Sequence, residues 1–171
     1  MIQRLRVPLG FAVAAAVLYL ASPTGLSILL GLPVAFIGAA FRLMAAAVIR
    51  KDSSLATTGP YAWTRNPLYF GSFLLAVGFA IMSAHWIAAC LLLIPSILLY
   101  PSVIRKEEAH LGRLFPDEFR LYRTKVPGFW PRIGPMKGEF SMKQYLVNRE
   151  YNTALGFAAA LAVFVAKWWR P

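Results

Sequence analysis

Residues 68–104 read LYFGSFLLAVGFAIMSAHWIAACLLLIPSILLYPSVI and contain no Asp, Glu, Lys or Arg. Two apolar runs, Leu68 to Ser83 and Trp86 to Ile104, flank a connection so short that the chain must reverse on itself. About 20 apolar residues cross the hydrocarbon core of a bilayer, and a lone spanning segment satisfies its backbone only as a helix. The stretch therefore predicts an antiparallel helical hairpin in lipid. Outward from it lie three further apolar runs, Val7 to Ala21, Leu26 to Ile49 and Tyr151 to Ala166, each with at most one charge. Ser22 to Gly25 is another short connection. The fold class is thus all-α, a polytopic membrane helical bundle of about five transmembrane helices.

Composition agrees. Of 171 residues, 58% are hydrophobic and 15% charged, whereas soluble domains have about 25% charged residues. Five spans use more than half the chain, so residues 1–171 are expected to form one integral-membrane domain. Disorder, collagen and a disulfide scaffold are excluded, and the single Cys90 is read as a packing residue. The basic opening Met1 to Arg6 before an apolar run resembles a signal peptide, but a first transmembrane helix is the expectation. Net charge is +11. Its distribution speaks against nucleic acid as a partner: Arg4, Arg6, Arg50, Lys51, Arg65, Arg105 and Lys106 flank the runs, while the two short connections carry no Lys or Arg. The positive-inside rule then places the N-terminus, 50–67 and 105–150 in the cytoplasm of a cell inner or plasma membrane, beside anionic lipid.

Function must reside in those two polar stretches or in a cavity beside them. Pro33, Pro95 and Pro101 are expected to kink their helices, and Ala12 with Ala16, Ala35 with Ala39 and Gly156 with Ala160 suit close helix contact. Leu111, Phe115, Phe119, Tyr122 and Val126 predict an amphipathic helix, with Pro116, Asp117 and Glu118 forming an acidic helix start. Residues 127–138 form an irregular loop, and Ser141 begins another short amphipathic stretch. Asn66-Pro67 places an N-cap residue before proline at the first position of a helix.

The densest cluster of candidate chemistry is Gly59-Pro60-Tyr61-Ala62-Trp63-Thr64-Arg65-Asn66-Pro67-Leu68-Tyr69-Phe70-Gly71. It suits a plain helix entry with interfacial aromatics, or a receptor in which helix N–H groups and Arg65 hold an anion while Tyr61, Trp63 and Tyr69 stack on a heteroaromatic base. Glu107 and Glu108, two of seven acids, either pair with Arg105 and nearby bases or line a pocket, accepting from ribose hydroxyls or facing a cationic group. Successive helix positions aim one of them inward. Arg42 either snorkels or faces a cavity. Glu107-x-x-His110 has the spacing of a di-iron ligand pair, but it lacks a second copy and no metal is expected.

In that order, the two clusters resemble the isoprenylcysteine carboxyl methyltransferase family, integral-membrane enzymes related to phospholipid N-methyltransferases. The family pattern Gly-x-Tyr-x-x-x-Arg-His-Pro-x-Tyr-x-Gly is met by Gly59 to Gly71, then by a helical hairpin, then by Glu107-Glu108 through Leu111, Phe115, Glu118 and Tyr122 to Val126-Pro127. The resemblance covers about 50–131. It implies S-adenosyl-L-methionine bound in a cytoplasmic-side pocket, S-adenosyl-L-homocysteine as product, and a lipid-like acceptor entering from the bilayer. Ser54, Leu55, Ala56, Tyr61, Asn66, Pro67, Tyr69, Glu107 and Glu108 fall on cofactor-binding positions, with Ser53 just before them. Arg65 and Asn66 fall on catalytic positions, and Arg42 becomes a substrate-side candidate. Asn66 replaces the usual histidine, and Pro116 and Phe119 replace glycine and tyrosine.

The expected reaction is methylation of a membrane-embedded carboxylate, which needs no general base at neutral pH. Other readings are phospholipid amine N-methylation, a sterol-reductase-like NADPH enzyme, and an inactive membrane scaffold. The final run poses a topological question: if it spans, Lys167 and Arg170 end on the extracytoplasmic side, against the charge rule, with Trp168 and Trp169 as interfacial anchors.

Overall fold

A computed structural model describes the backbone of residues 2–169 and the side chains of 10–169. The topology markers Arg4, Arg6 and Arg170 have side chains outside the described residues. Among the described residues there are seven α-helices and no strand: α1 Ile2–Leu20, α2 Gly25–Val48, α3 Pro67–Ser83, α4 Trp86–Leu114, α5 Pro116–Lys125, α6 Met142–Val147 and α7 Tyr151–Trp169. Three of these, α2, α4 and α7, are long and apolar enough to cross a membrane; 10–20 and 67–83 are shorter apolar helices. The chain is an integral-membrane helical bundle. Leu29, Phe36, Ile97 and Leu98, all more than half exposed, form its lipid-facing surface.

The two short connections meet at one end, the hairpin end. The Ser22 N–H donates to Ser83 O at 2.8 Å, and Ser27 Oγ donates to Met82 O at 3.0 Å. Ala84, at φ +46°, makes the left-handed turn that reverses α3 into α4. Val17, Ala21, Ala35, Met82, Ala88 and Phe164 pack a core in this half, joining α1, α2, α3, α4 and α7. Lys167 Nζ donates to Leu18 O and Tyr19 O at 2.9 and 2.8 Å. A cation on carbonyls at the end of α1 satisfies groups that the helix cannot pair itself, which explains a charge the topology rule disfavours. Trp168 meanwhile lies against Gly25. α7 therefore runs the length of the bundle, from Glu150 beside α2 to this anchor.

α2 and α3 form the tightest pair, and glycine makes it so. A Cβ on Gly31 would meet Gly78 O at 2.5 Å, one on Gly38 would meet Gly71 O at 2.6 Å, and one on Gly71 would meet Arg42 Cγ at 2.8 Å. Backbone against backbone is how helices associate where lipid is as apolar as leucine. Of the small-residue pairs read from sequence, Ala35 joins this seam, whereas Ala12 is exposed and a Cβ on Gly156 would meet nothing within 4 Å. Spacing alone could not separate a helix face that meets a neighbour from one that meets lipid. Cys90 is likewise corrected: it is exposed on α4. Pro33, Pro95 and Pro101 lie inside continuous helices.

α4 continues ten residues beyond Ile104 and carries Glu107 and Glu108 on an unbroken helix. The single amphipathic helix expected around 111–126 is two elements. Leu111 belongs to α4, the helix stops at Phe115 (φ −132°, ψ 63°), and Pro116 opens α5. Proline lacks an N–H and pushes the residue before it out of the helical region, which is why the break falls there.

Candidate functional site

At the other end, the loop end, the Gly59 to Gly71 stretch is stitched to residues 126–138. Arg65 N–H donates to Pro127 O at 2.9 Å, Arg132 N–H to Trp63 O at 2.9 Å, Trp63 Nε1–H to Gly134 O at 2.7 Å and Gly59 N–H to Lys137 O at 2.7 Å. The irregular loop is thus a strap laid antiparallel along the motif. Gly59 sits at φ +59°, a conformation that side-chain-bearing residues rarely adopt. Below the strap, Phe41, Trp63, Phe70, Phe73, Phe129 and Trp130 pack ring against ring, Phe41 and Trp63 tilted and the others edge to face, fastening it to α2 and α3. Tyr122 Oη donates to Tyr61 O at 2.7 Å and ties in α5.

Asn66 occupies the N-cap position of α3, but its side chain does not cap the helix. Instead Nδ2 donates to Gly128 O at 2.8 Å and to Glu108 Oε1 at 3.3 Å. The strap and the second glutamate hold the amide in place of the helix end. Arg65 Nε donates to Glu108 Oε1 at 2.9 Å, and its Nη1 donates to Arg123 O and Val126 O at the end of α5. The adjacent glutamates therefore differ: Glu108 is held by Arg65 and Asn66, while Glu107 makes no side-chain hydrogen bond or ion pair with any described residue. Sequence alone could not divide their roles, because the partner of Glu108 comes from 43 residues away.

Three cavities meet here. The first, about 290 Å³, is lined by Ser54, Leu55, Ala56, Tyr61, Glu107 and Tyr122 among others. His110 Nε2 and Asp52 Oδ1, 3.0 Å apart, lie at its wall. The second, about 320 Å³, is lined by Arg42, Asn66, Pro67, Tyr69, Ser72 and Glu107. Tyr61, Arg65 and Glu107 border both, so the two form one polar space around the unpaired carboxylate. The third, about 550 Å³, is mainly apolar: Phe73, Ile97, Ile104 and Trp130 line it, with Arg105 and Glu108 on its wall. Ile97 and Trp130 are more than half exposed, so it opens on the lipid-facing surface. Arg65 and Tyr100 belong to the second and third cavities alike.

The structure thus brings together nearly all residues singled out in sequence. Ser53 and Trp63 do not line these cavities, Trp63 being packed against Phe41 and bonded to the strap, and Glu108 faces the apolar one. Arg42 faces the cavity rather than snorkelling, with its guanidinium bonded to Glu150, Thr153, Ser72 and Leu68 O. Glu150, Tyr100 and the strap had no signal in the motif; only the scarcity of acids pointed toward Glu150. Burial pushes the Tyr61 phenol well above its ordinary 10.0, and the Glu107 charge adds to this. Burial raises Tyr122 in the same way. Both stay protonated at neutral pH. Among the described residues, no group of three or more His, Cys, Asp or Glu could hold a metal ion.

Known proteins similar to this chain point to one family. Residues 11–118 match the family described as phospholipid methyltransferase. The chain is 39% identical over 122 residues to the nickel-cobalt-cadmium resistance protein NccN of Alcaligenes xylosoxydans xylosoxydans, covering 70% of this chain and 54% of the relative. It is 35% identical over 128 residues to the cobalt-zinc-cadmium resistance protein CzcN of Cupriavidus metallidurans, covering 74% of this chain and 57% of the relative. With the protein-S-isoprenylcysteine O-methyltransferase of Schizosaccharomyces pombe it shares 33% identity over 96 residues, 56% of this chain and 41% of that enzyme. The chain therefore spans about half the length of these relatives, or less. No solved structure matches it.

Proposed function

The chain belongs to the phospholipid methyltransferase family, and from that premise we propose that it transfers a methyl group from S-adenosyl-L-methionine to a carboxylate on a lipid-like acceptor. The observation that carries this reading is the unpaired Glu107 carboxylate in a polar space that borders a lipid-open apolar cavity. The residues present fit the cofactor. Ser54, Leu55, Ala56 and Tyr61 offer a largely apolar wall for adenine, and Glu107 accepts from ribose hydroxyls. Pro67 and Tyr69 line the cavity from the first turn of α3, where the positive end of the helix dipole and the nearby Arg65 suit the amino-acid carboxylate. Together the two polar cavities fall within the size range of small-ligand sites. When bound, the cofactor supplies an already activated methyl group on a sulfonium.

The chain's own task is to bind, align and exclude water, a contribution that can reach about 7–11 kcal/mol. The apolar cavity admits the acceptor from the bilayer, and Arg65 and Tyr100, shared between cavities, stand where its head meets the polar space. Arg65 and Asn66 are the positioning pair at this junction, with Glu108 fixing both. A carboxylate acceptor is ionised at pH 7 and needs no base, which suits asparagine where the family has histidine. The positive-inside distribution of Lys and Arg supports a cytoplasmic loop end. The whole chain, 1–171, acts as one domain with 50–131 at its centre.

Thermal unfolding of purified protein with added nucleotide tests the cofactor assignment. A ligand at 100 times its Kd stabilises by about 2.7 kcal/mol. S-adenosylhomocysteine is expected to raise Tm and NADPH to leave it unchanged; the reverse would favour a reductase.

A further inference from the structure

We propose that Glu150, at the start of α7, is a positioning residue for the reaction: by holding Arg42 it sets the first turn of α3, where Asn66, Pro67 and Tyr69 line the polar cavity. The inference rests on the reading of that cavity as the methyl-transfer site, but its residue lies outside both the family match and the 50–131 motif.

All five guanidinium N–H groups of Arg42 are engaged. Nε donates to Glu150 Oε1 at 2.7 Å, and Nη2 donates to Glu150 Oε2 at 3.0 Å and Thr153 Oγ1 at 3.2 Å. Nη1 donates to Leu68 O at 3.3 Å and to Ser72 Oγ. Ser72 Oγ in turn donates to Leu68 O at 2.8 Å. Arg42 thus bridges α7 on one side and α3 on the other, and the Leu68 carbonyl sits between Pro67 and Tyr69. The fork geometry fixes both halves at once: a planar guanidinium held at Nε and Nη2 by one carboxylate has Nη1 aimed in one direction only. Glu150 is 8% exposed and Arg42 sits beside Gly71 in the glycine seam, so the pair is held between packed helices. A complete donor set also means that Arg42 acts on the acceptor by placing the α3 turn, since a direct bond would require it to release a present partner.

Other contacts anchor the same segment. Asn148 Nδ2 donates to Ala46 O and Ile49 O at the end of α2, and Lys167 anchors the far end of α7. Removing the Glu150 charge therefore leaves α7 docked.

The test compares wild type, Glu150→Gln and the charge swap Arg42→Glu/Glu150→Arg in lipid nanodiscs. The swap rebuilds the attraction between α2 and α7, but a carboxylate at 42 cannot donate to Leu68 O. Expected are a fall in kcat of at least 10-fold in Glu150→Gln, a change in S-adenosylhomocysteine affinity below about 3-fold, faster amide exchange over 66–73, and a swap that restores Tm without restoring kcat. Recovery of kcat together with Tm in the swap would show a mere staple and overturn the proposal. If wild type transfers no methyl group, the proposed activity fails, and exchange over 66–73 decides alone: faster exchange in Glu150→Gln upholds the positioning role and unchanged exchange overturns it.

Discussion

Two adjacent glutamates, Glu107 and Glu108, have different surroundings in the proposed site. Glu108 is neutralised by Arg65 and steadied by Asn66, while Glu107 has only the space around it and the Tyr61 ring. A hydrogen bond to a charged group contributes about 1.5–3 kcal/mol, or roughly 10- to 100-fold in affinity. Glu107→Gln is expected to weaken S-adenosylhomocysteine binding by that factor, read by titration calorimetry, and to leave Tm unchanged. The two buried tyrosines give a pH signature. Their phenols are raised in the folded state, so above pH 10.0, the ordinary value, the unfolded chain releases protons that the folded one keeps. Stability from this source is whole below pH 10 and declines as pH rises beyond it. Tm measured from pH 7 to 11 is expected to fall only at the alkaline end, less steeply in Tyr122→Phe. The motif residues were legible as a set; their partners were not, since Glu108 meets Arg65 only after the helices have packed.

At the scale of elements, the glycine seam between α2 and α3 sets the geometry of the site, because Arg42 follows Gly38 by one turn and lies against Gly71. Gly38→Ala would drive a Cβ to 2.6 Å from a backbone oxygen, and overpacking costs about 1–3 kcal/mol. Gly156→Ala meets nothing and gains the roughly 0.5–1 kcal/mol by which alanine exceeds glycine in a helix. Thermal unfolding in detergent is expected to move in opposite directions for the two variants. Hydropathy found all five apolar helices, with every end but that of α4 within about five residues, since lipid demands apolar length and closed backbones whatever the neighbours do. It missed the extension of α4 past the bilayer and the break at Phe115, because amphipathic spacing continues across both while only Pro116 marks the end. The strap was read as a loop, and its role depends on carbonyls of 127–137 that no side-chain pattern encodes.

Across the described residues, one end is joined by short turns, the Lys167 anchor and a small apolar core, and the other holds three adjoining cavities. Such polarity suits an enzyme that takes a soluble cofactor from one side and a lipid from within the bilayer. The composition already said membrane; the seven acids, all in the two polar stretches, pointed to the region of the proposed site. The most direct test incubates the purified protein in nanodiscs with methyl-tritiated S-adenosylmethionine and a panel of lipid-like carboxylate, amine and thiol acceptors. Label is expected in the lipid extract from a carboxylate acceptor, released as volatile methanol by base and at least 10-fold above a Glu107→Gln control. Label no higher than that control with every acceptor, in protein that remains folded, would contradict the proposed methyl transfer.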